Sequence, residues 1–331
     1  MLLSNNKIIE LKNSNSTARI LRTGATVSSL VLNGMERLFF NESEDGYSKS
    51  SSLAGIPILF PWANRLSEWK IPLNKNTDET NLSKANDFHF IESKNRADIF
   101  TDSNGLPIHG FLLKRDWQLI EQSGRHLRMR FEATEADQLI FPFAYSLEVA
   151  FSLFENKLQI RFLIENGNQS LPVSFGFHPY FRLSALCDSV KDVRLYLPLE
   201  SHIDTNSNLI PTGSCDPIHG FWPSSMNGAR RFTELDDGFF LQQQEAGQNY
   251  EIRIEGPKSK LRLTLSSEFQ VTVIYSPANQ DFVCIEPMTA PTNGLLQPNF
   301  SIQNQDTQPG FQLKWLKPNL KQEYSFEIQS F

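Results

Sequence analysis

A histidine set among aromatic residues is the first group in this sequence with the character of an acid or a base. His178 lies in the segment SFGFHPYFRL, and the proline that follows it favours extended backbone at the histidine. Aromatic surroundings can tune the pKa of an imidazole towards neutrality, which suits proton transfer. A strand-end histidine that only hydrogen-bonds to backbone has the same pattern, so the segment alone leaves both interpretations open.

A glutamate ends a strongly apolar stretch further along the chain. Glu286 follows Phe282–Ile285 and directly precedes Pro287. A carboxylate in such a place is either desolvated, which raises its pKa and makes it a base near neutral pH, or paired with a cation. Both cases differ from an ordinary solvated glutamate.

Three further stretches carry polar groups that could hold a ligand. Asn64 and Arg65 follow two prolines in a loop, where the guanidinium offers several donors to a hydroxylated ligand or pairs with an acidic neighbour. His109 precedes a glycine, which lets a ligand or a strand come close. The pair Asp236 and Asp237 begins a strand-like run and is equally typical of a turn.

The pentapeptide Pro-Ile-His-Gly-Phe around His109 occurs a second time around His219. The flanking residues of the two copies do not match, so we interpret the similarity as chance. His219 lies in a stretch rich in Gly, Ser, Pro and Asp, which is typical of an exposed loop.

The elements that must position these residues are short strands. Ile8–Leu11, Ala18–Thr23 and Val27–Leu32 are separated by Asn, Ser and Gly, and Lys157–Asn166 alternates apolar and polar residues. No sustained helical period appears, apart from one possible turn at Glu135–Ile140. The pattern predicts an all-β chain, and the absence of a linker or a shift in composition favours one domain over residues 1–331.

Composition narrows the class of partner. The chain has 331 residues, a formal net charge of -6 and 26 phenylalanines, with no run of Lys or Arg. This balance argues against nucleic acid and anionic membranes and favours a small molecule. The N-terminal residues lack a signal-peptide pattern, and no stretch reaches the roughly 18 apolar residues that span a bilayer, which predicts a cytoplasmic protein.

The three cysteines, Cys187, Cys215 and Cys284, show neither CxxC pairing nor zinc-type spacing. We expect them to be reduced thiols, and we expect no metal site.

Six motifs in this order resemble the aldose 1-epimerase (galactose mutarotase) family over nearly the whole chain. The motifs are Pro61-Trp62-Ala63-Asn64-Arg65, Pro107-Ile108-His109-Gly110-Phe111, Gly176-Phe177-His178-Pro179-Tyr180-Phe181, Pro211-Thr212-Gly213, Leu235-Asp236-Asp237 and Ile285-Glu286-Pro287.

The resemblance implies a β-supersandwich of large antiparallel sheets with a sugar cleft, and a reaction without a cofactor. Carried over by motif, Glu286 looks like the general base and His178 like the general acid. Arg65 and His109, with Asn64 beside them, match sugar-holding positions, as does Asp236 or Asp237. We choose Asp236. The chain has Phe-His where the best-known galactose mutarotases have Asn-His, which leaves the sugar open.

This resemblance predicts that the protein interconverts the α and β anomers of an aldohexose or a hexose 6-phosphate. An acid and a base on opposite sides of the sugar would open and close the ring. These roles predict a bell-shaped pH profile with an acidic limb from Glu286 and an alkaline limb from His178. Arg115 and Arg182 are candidates to receive a phosphate. We expect a monomer or a dimer in hexose metabolism.

Two other classes of function remain open from the sequence. One is a non-catalytic carbohydrate-binding or sugar-sensing protein on the same scaffold, because fold does not fix function. The other is a β-sandwich domain of a polysaccharide lyase or glycosidase, which would normally bring a second catalytic domain and a secretion signal.

Overall fold

Strands dominate the computed structural model, which describes residues 7–41, 44, 53–73, 87–189, 192–218, 235–245, 247–297, 300–302 and 311–331. The strands in chain order are β1 Ile8–Lys12, β2 Thr17–Leu21, β3 Val27–Leu32, β4 Met35–Glu36, β5 Ile58–Leu59, β6 Lys70–Leu73, β7 Asp87–Phe90, β8 Phe100–Thr101, β9 Pro107–Ile108, β10 Gln118–Gln122, β11 His126–Glu132, β12 Tyr145–Leu153, β13 Lys157–Asn166, β14 Leu171–Val173, β15 Gly176–Phe177, β16 Tyr180–Arg182, β17 Arg194–Tyr196, β18 Leu199–Thr205, β19 Pro211–Pro217, β20 Leu235–Leu241, β21 Tyr250–Glu255, β22 Lys260–Leu265, β23 Val271–Ser276, β24 Phe282–Met288, β25 Ser301–Ile302, β26 Lys314–Leu316 and β27 Lys321–Ser330.

Helices are few and short among the described residues. The α-helix α1, Glu135–Gln138, confirms the helical turn expected there, and a capping box between Thr134 and Asp137 fixes its start. Two 3-10 turns are also present, at Ser93–Asn95 and Leu112–Lys114.

Two large sheets make up most of the fold. One has eight strands in the order β10-β11-β12-β13-β27-β22-β21-β17, and the other has nine, in the order β25-β19-β18-β20-β23-β24-β15-β5 with β16 also paired to β24. Neighbouring strands are antiparallel except β19 and β25. The all-β prediction and the β-supersandwich architecture are confirmed.

The core lies between these two sheets and is rich in aromatic rings. Phe177 of the nine-stranded sheet contacts Phe326 of the eight-stranded sheet, with ring centroids 5.3 Å apart. Phe175 stacks on Phe162 at 4.7 Å and meets Tyr324 edge-on at 4.6 Å. Since side chains alternate along a strand, residues next to these core positions point to the opposite face of the nine-stranded sheet, where the predicted site residues lie.

The early part of the chain follows the sequence expectations closely. Val27–Leu32 is a strand as predicted, and β1 and β2 differ from their expected bounds by one or two residues. β6 and β7 pair antiparallel outside the two large sheets.

Candidate active site

His178 and Glu286 face each other across two strands of the nine-stranded sheet. Gly176 pairs with Met288 in β15 and Tyr180 pairs with Cys284 in β16, so the register on both sides places His178 opposite Glu286. The prolines that follow the two residues interrupt the ladder there. Nε2 of His178 lies 3.2 Å from Oε1 of Glu286, so the two side chains are in direct contact.

Burial governs the charge of this pair. His178 is 5% exposed and Glu286 is 2% exposed. Loss of solvent lowers the pKa of His178 to about 3. It also raises the pKa of Glu286 well above its usual range, with a further increase from Asp236 and an opposing effect of Arg65. The arrangement that burial favours is therefore a neutral imidazole beside a protonated carboxyl group.

Each member of the pair also has one atom free for a ligand. Nδ1 of His178 and Oε2 of Glu286 are buried and have no hydrogen-bond partner within the described ranges. A buried polar atom without a partner is rare in folded proteins, and such atoms are common where substrates bind. The pair can thus offer a lone pair and a carboxyl oxygen to one bound molecule.

A tight loop contact holds His109 beside this pair. Its backbone N–H donates to the carbonyl of Asn64 at 3.0 Å, and its Nδ1 accepts the Asn64 backbone N–H at 3.2 Å. Because Nδ1 accepts, a neutral His109 carries its proton on Nε2. Burial lowers the pKa of His109 well below its usual value, and the nearby His178 and Arg65 lower it further. His109 is therefore a neutral N–H donor.

The guanidinium of Arg65 is held on three sides. Its Nε donates to Oδ2 of Asp102 at 2.9 Å, its Nη1 donates to Oδ1 of Asn64 at 3.1 Å, and its Nη2 lies 3.7 Å from Oδ2 of Asp236. Asn64 also accepts the backbone N–H of Arg65, at 2.8 Å. The Asn64 side chain thus orients Arg65, while Arg65 links the loop to β20.

The two neighbouring aspartates point to opposite faces of the sheet. Asp236 lies beside Arg65 and pairs across the strands with Tyr275. Asp237 accepts a hydrogen bond from Nε2 of His202 at 2.8 Å on the other face. Burial raises the pKa of Asp236, the charge of Arg65 opposes this, and Asp237 adds to it. The structure therefore brings Asp236, the residue chosen from the sequence, to the Arg65 side.

Two side chains of this group, those of Tyr275 and Asp102, have no local sequence signal that marks them as part of the site. Tyr275 lies between Asp236 and Cys284 and is the cross-strand neighbour of both. Burial is the largest cause of its raised pKa, and the charge of Asp236 raises the pKa further. Asp102 also accepts the backbone N–H groups of Asn104 and Leu106, each at 2.9 Å. The sequence around Asp102 indicates only a turn, and nothing local shows that the turn contacts Arg65.

Tyr180 belongs to the histidine motif, and its sequence position alone assigns it no role. Its ring stacks on His178 with centroids 4.6 Å apart and an interplanar angle of 5°. The stacking fixes the plane of the imidazole and covers one of its faces.

The remaining candidates lie elsewhere. Arg115 is paired with Asp98 and Asp137, both at 2.7 Å, and Arg182 donates to the Leu38 carbonyl at 3.1 Å. His219 lies outside the described residues. None of the described helices is long and apolar enough to cross a membrane.

Two recesses differ in whether the candidate site residues line them. One lies beside Arg65 and Asp236 and continues past Gly238 to Ile203. A larger cavity of about 570 Å³ has walls that include Phe240 and contains none of the predicted site residues. Of these two recesses, the smaller one is lined by three of the sugar-holding candidates, Asn64, Arg65 and Asp236.

Comparison with known proteins gives one family and several similar folds. The model of the family described as aldose 1-epimerase matches residues 7–314. The protein YihR of Escherichia coli K12, itself uncharacterized, is 24% identical over 292 residues, which cover 83% of this chain and 82% of YihR.

Solved structures agree on the fold. A galactose mutarotase-like protein from Clostridium acetobutylicum has a TM-score of 0.76 at 18% identity, covering 98% of this chain and 95% of its own. A galactose 1-epimerase from Lactobacillus acidophilus NCFM has a TM-score of 0.71 at 15% identity, covering 100% and 97%.

Proposed function

The chain belongs to the aldose 1-epimerase family, and from that premise we propose that it interconverts the α and β anomers of an aldohexose or a hexose 6-phosphate. The observation that carries the proposal is the contact of His178 with Glu286 at 3.2 Å, buried and with one free atom on each residue. Among the described residues, this pair combines a proton donor and a proton acceptor next to a set of groups suited to hold hydroxyls.

The reaction requires two proton transfers at neighbouring oxygens. A proton leaves the anomeric hydroxyl and another reaches the ring oxygen, the bond from C1 to the ring oxygen breaks, and an aldehyde forms. Rotation about C1–C2 and closure then give the other anomer. Both oxygens are bonded to C1, so one compact acid–base pair can serve both of them. The sequence led us to expect an acid and a base on opposite sides of the sugar, whereas the two side chains touch.

The pair can carry its proton on either residue. When the proton lies on His178, we assign Glu286 as the base at the anomeric hydroxyl and His178 as the acid at the ring oxygen. The transfer leaves the proton on Glu286 and a neutral His178. Ring closure then runs in the reverse sense and restores the starting pair. The form with the proton on Glu286, which burial favours, can open a ring with the two roles exchanged. Catalysis therefore needs one proton on the pair.

Arg65, His109 and Asp236 would orient the sugar. Arg65 and the Nε2–H of His109 donate hydrogen bonds, whereas an ionised Asp236 accepts them from hydroxyls. Positioning of this kind keeps the reacting oxygens within proton-transfer reach. Asn64 and Asp102 act on the sugar through Arg65, because their side-chain contacts hold its guanidinium.

One experiment tests this proposal. Freshly dissolved α-glucose, α-galactose and their 6-phosphates are followed by polarimetry or proton NMR with and without the protein, and at least one should reach anomeric equilibrium faster. We expect no loss of rate in EDTA, since the assigned residues need no cofactor. A protein that binds these sugars without accelerating any of them would instead be a sugar-binding or sensing protein.

The surroundings of the two candidate phosphate-binding arginines bear on the choice of sugar. Arg115 and Arg182 are engaged by neighbouring groups, which favours an unphosphorylated sugar over a 6-phosphate. We retain a cytoplasmic protein of hexose metabolism, acting as a monomer or dimer, as the expected setting.

A further inference from the structure

Cys284 forms a compact group with the catalytic pair. It precedes Glu286 by two residues in β24, so both side chains lie on one face, and it pairs across the strands with Tyr180. One ligand atom each from Cys284, His178 and Glu286 lies within 4.8 Å of the others. Cys284 is fully buried, and His178 and Glu286 are almost fully buried. The proposed epimerase reaction assigns no step to this thiol.

The group contains atoms that lack partners. Nδ1 of His178 and Oε2 of Glu286 have no hydrogen-bond partner in the described part of the chain. Leaving a buried donor or acceptor unpaired costs roughly 1–3 kcal/mol, so the protein alone does not satisfy all the polar atoms of this group.

The three ligand types define the class of ion. A thiolate, an imidazole and a carboxylate together suit Zn²⁺ and related cations, whereas Mg²⁺ and Ca²⁺ prefer oxygen ligands alone. Two nitrogen or oxygen atoms bound to a tetrahedral zinc ion lie about 3.4 Å apart. The observed separation of His178 Nε2 and Glu286 Oε1 is 3.2 Å, close to that requirement.

Charges around the group also favour a cation. Asp236 acts electrostatically on both Glu286 and Cys284. Arg65 opposes this effect at Glu286, and its guanidinium is paired with Asp102 at 2.9 Å and lies 3.7 Å from Asp236. The negative charges of Asp102 and Asp236 therefore offset the positive charge of the Arg65 guanidinium.

We propose that His178, Glu286 and Cys284 bind one Zn²⁺ or a similar thiophilic divalent cation, and that this ion inhibits the protein. The S–H bond of Cys284 and the O–H bond of the Glu286 carboxyl group break, an electron pair from each bonds to the metal, and both protons go to solvent, with no change in oxidation state. The ion occupies the two groups that would transfer protons to the sugar. The inhibitory consequence rests on the proposed epimerase function, whereas the metal site does not.

Cobalt provides a direct test of the ligand set, because Co²⁺ replaces Zn²⁺ and is visible by absorption. Metal-free protein is titrated with Co²⁺, and we expect one ion per chain with a sulfur-to-cobalt charge-transfer band and the d–d spectrum of a tetrahedral site. Mg²⁺ should not displace the ion. A spectrum without the sulfur band would overturn the proposal, and this test needs no variant.

Matched cysteine variants locate the ligand. Changing groups that merely support a metal ligand typically costs 10- to 100-fold in affinity, so removing the thiolate itself in Cys284→Ser or Cys284→Ala should cost at least about that much and abolish the band. Cys187→Ser removes a buried thiol outside the cleft, so this variant should leave the Co²⁺ affinity and the charge-transfer band unchanged. Equal Co²⁺ affinity in wild type and both Cys284 variants would exclude Cys284 as a ligand.

Kinetics test the inhibitory consequence separately. Zn²⁺ should slow anomer exchange, EDTA should restore it, and Cys284→Ser should resist the same Zn²⁺ concentration. If no sugar is turned over, the epimerase proposal fails while the cobalt spectrum still decides on the metal site. If turnover is observed and Zn²⁺ leaves it unchanged, the inhibitory role is wrong.

Discussion

The pKa values of His178 and Glu286 reverse the order expected for an exposed pair. An exposed glutamate loses its proton before an imidazole does, so the sequence suggested an acidic limb from Glu286 and an alkaline limb from His178. Burial instead lowers the pKa of His178 to about 3 and raises that of Glu286. The two groups touch, so the observed limbs belong to the pair as a unit.

We therefore predict a broad pH profile of kcat/KM. As the pH falls below 6.5, the ordinary pKa of histidine, activity should persist, because His178 gains a proton only near pH 3. As the pH rises, activity should decline when the pair loses its single proton, at a pH well above the ordinary glutamate value of 4.5. The profile is measured with a sugar that does not titrate in this range. An acidic limb near pH 6.5 would contradict the buried, neutral state of His178.

Glu286 should also reduce stability at neutral pH. Its pKa is higher in the folded than in the unfolded chain, so its favourable contribution is fully present below pH 4.5 and is lost as the pH rises through the folded value. Glu286→Gln has no such loss. We predict a higher melting temperature than wild type at pH 7, with the difference shrinking below pH 4.5.

Glu165 serves as a control with the opposite sign. Its hydrogen bond with Lys321 is the largest cause of a lowered pKa, so the stability it contributes is present above pH 4.5 and is lost as the pH falls. Glu165→Gln should lower the melting temperature slightly at pH 7, since an exposed pair contributes about 0–1 kcal/mol. A Glu286→Gln variant that behaves like Glu165→Gln would refute the stated cost of the buried carboxyl.

The loop that carries His109 depends on a close backbone approach. Gly110 has a φ of 67°, and a Cβ there would lie 2.1 Å from the carbonyl oxygen of Phe60. His109 itself has a φ of 63°, held by its two hydrogen bonds to Asn64. The glycine thus allows the strand-to-loop contact that places His109 beside Asn64.

We predict that Gly110→Ala lowers stability by more than about 2 kcal/mol and weakens sugar binding, because strain and overlap act together. Gly105→Ala is the matched control. Gly105 has a φ of 76° but open space around its Cβ position, so this variant should lose only about 1–2 kcal/mol from backbone strain. Denaturant unfolding and sugar titration measure both variants. Equal losses would show that the contact with Phe60 is unimportant.

Several elements were predictable because their signals are local. The alternation of apolar and polar residues identified Lys157–Asn166, and the neighbouring Asn, Ser and Gly residues set off Val27–Leu32. The helical turn expected over Glu135–Ile140 is observed at Glu135–Gln138. Contacts between distant strands were not predictable in this way. The register that sets His178 against Glu286 joins residues more than a hundred positions apart, and a single sequence does not show which strands are neighbours. The contact of Asp102 with Arg65 was hidden for the same reason.

The whole chain should unfold as one unit. The aromatic layer joins the two large sheets through contacts such as Phe177 with Phe326 and Phe175 with Tyr324. We predict one cooperative thermal transition, with the near-UV signal of these rings and the far-UV signal of the strands lost together. Two separated transitions would contradict the proposal of one domain over residues 1–331.

The central claim is that Glu286 and His178 form one proton-transfer unit for anomer exchange. The most direct measurement is the rate of exchange by proton NMR for wild type, Glu286→Gln, His178→Asn and the double variant, with sugar affinity measured on the same samples. Each single change should lower turnover about 10²–10⁴-fold with little loss of affinity, and the double variant should lose much less than the product. A Glu286→Gln variant with near-normal turnover would contradict the claim.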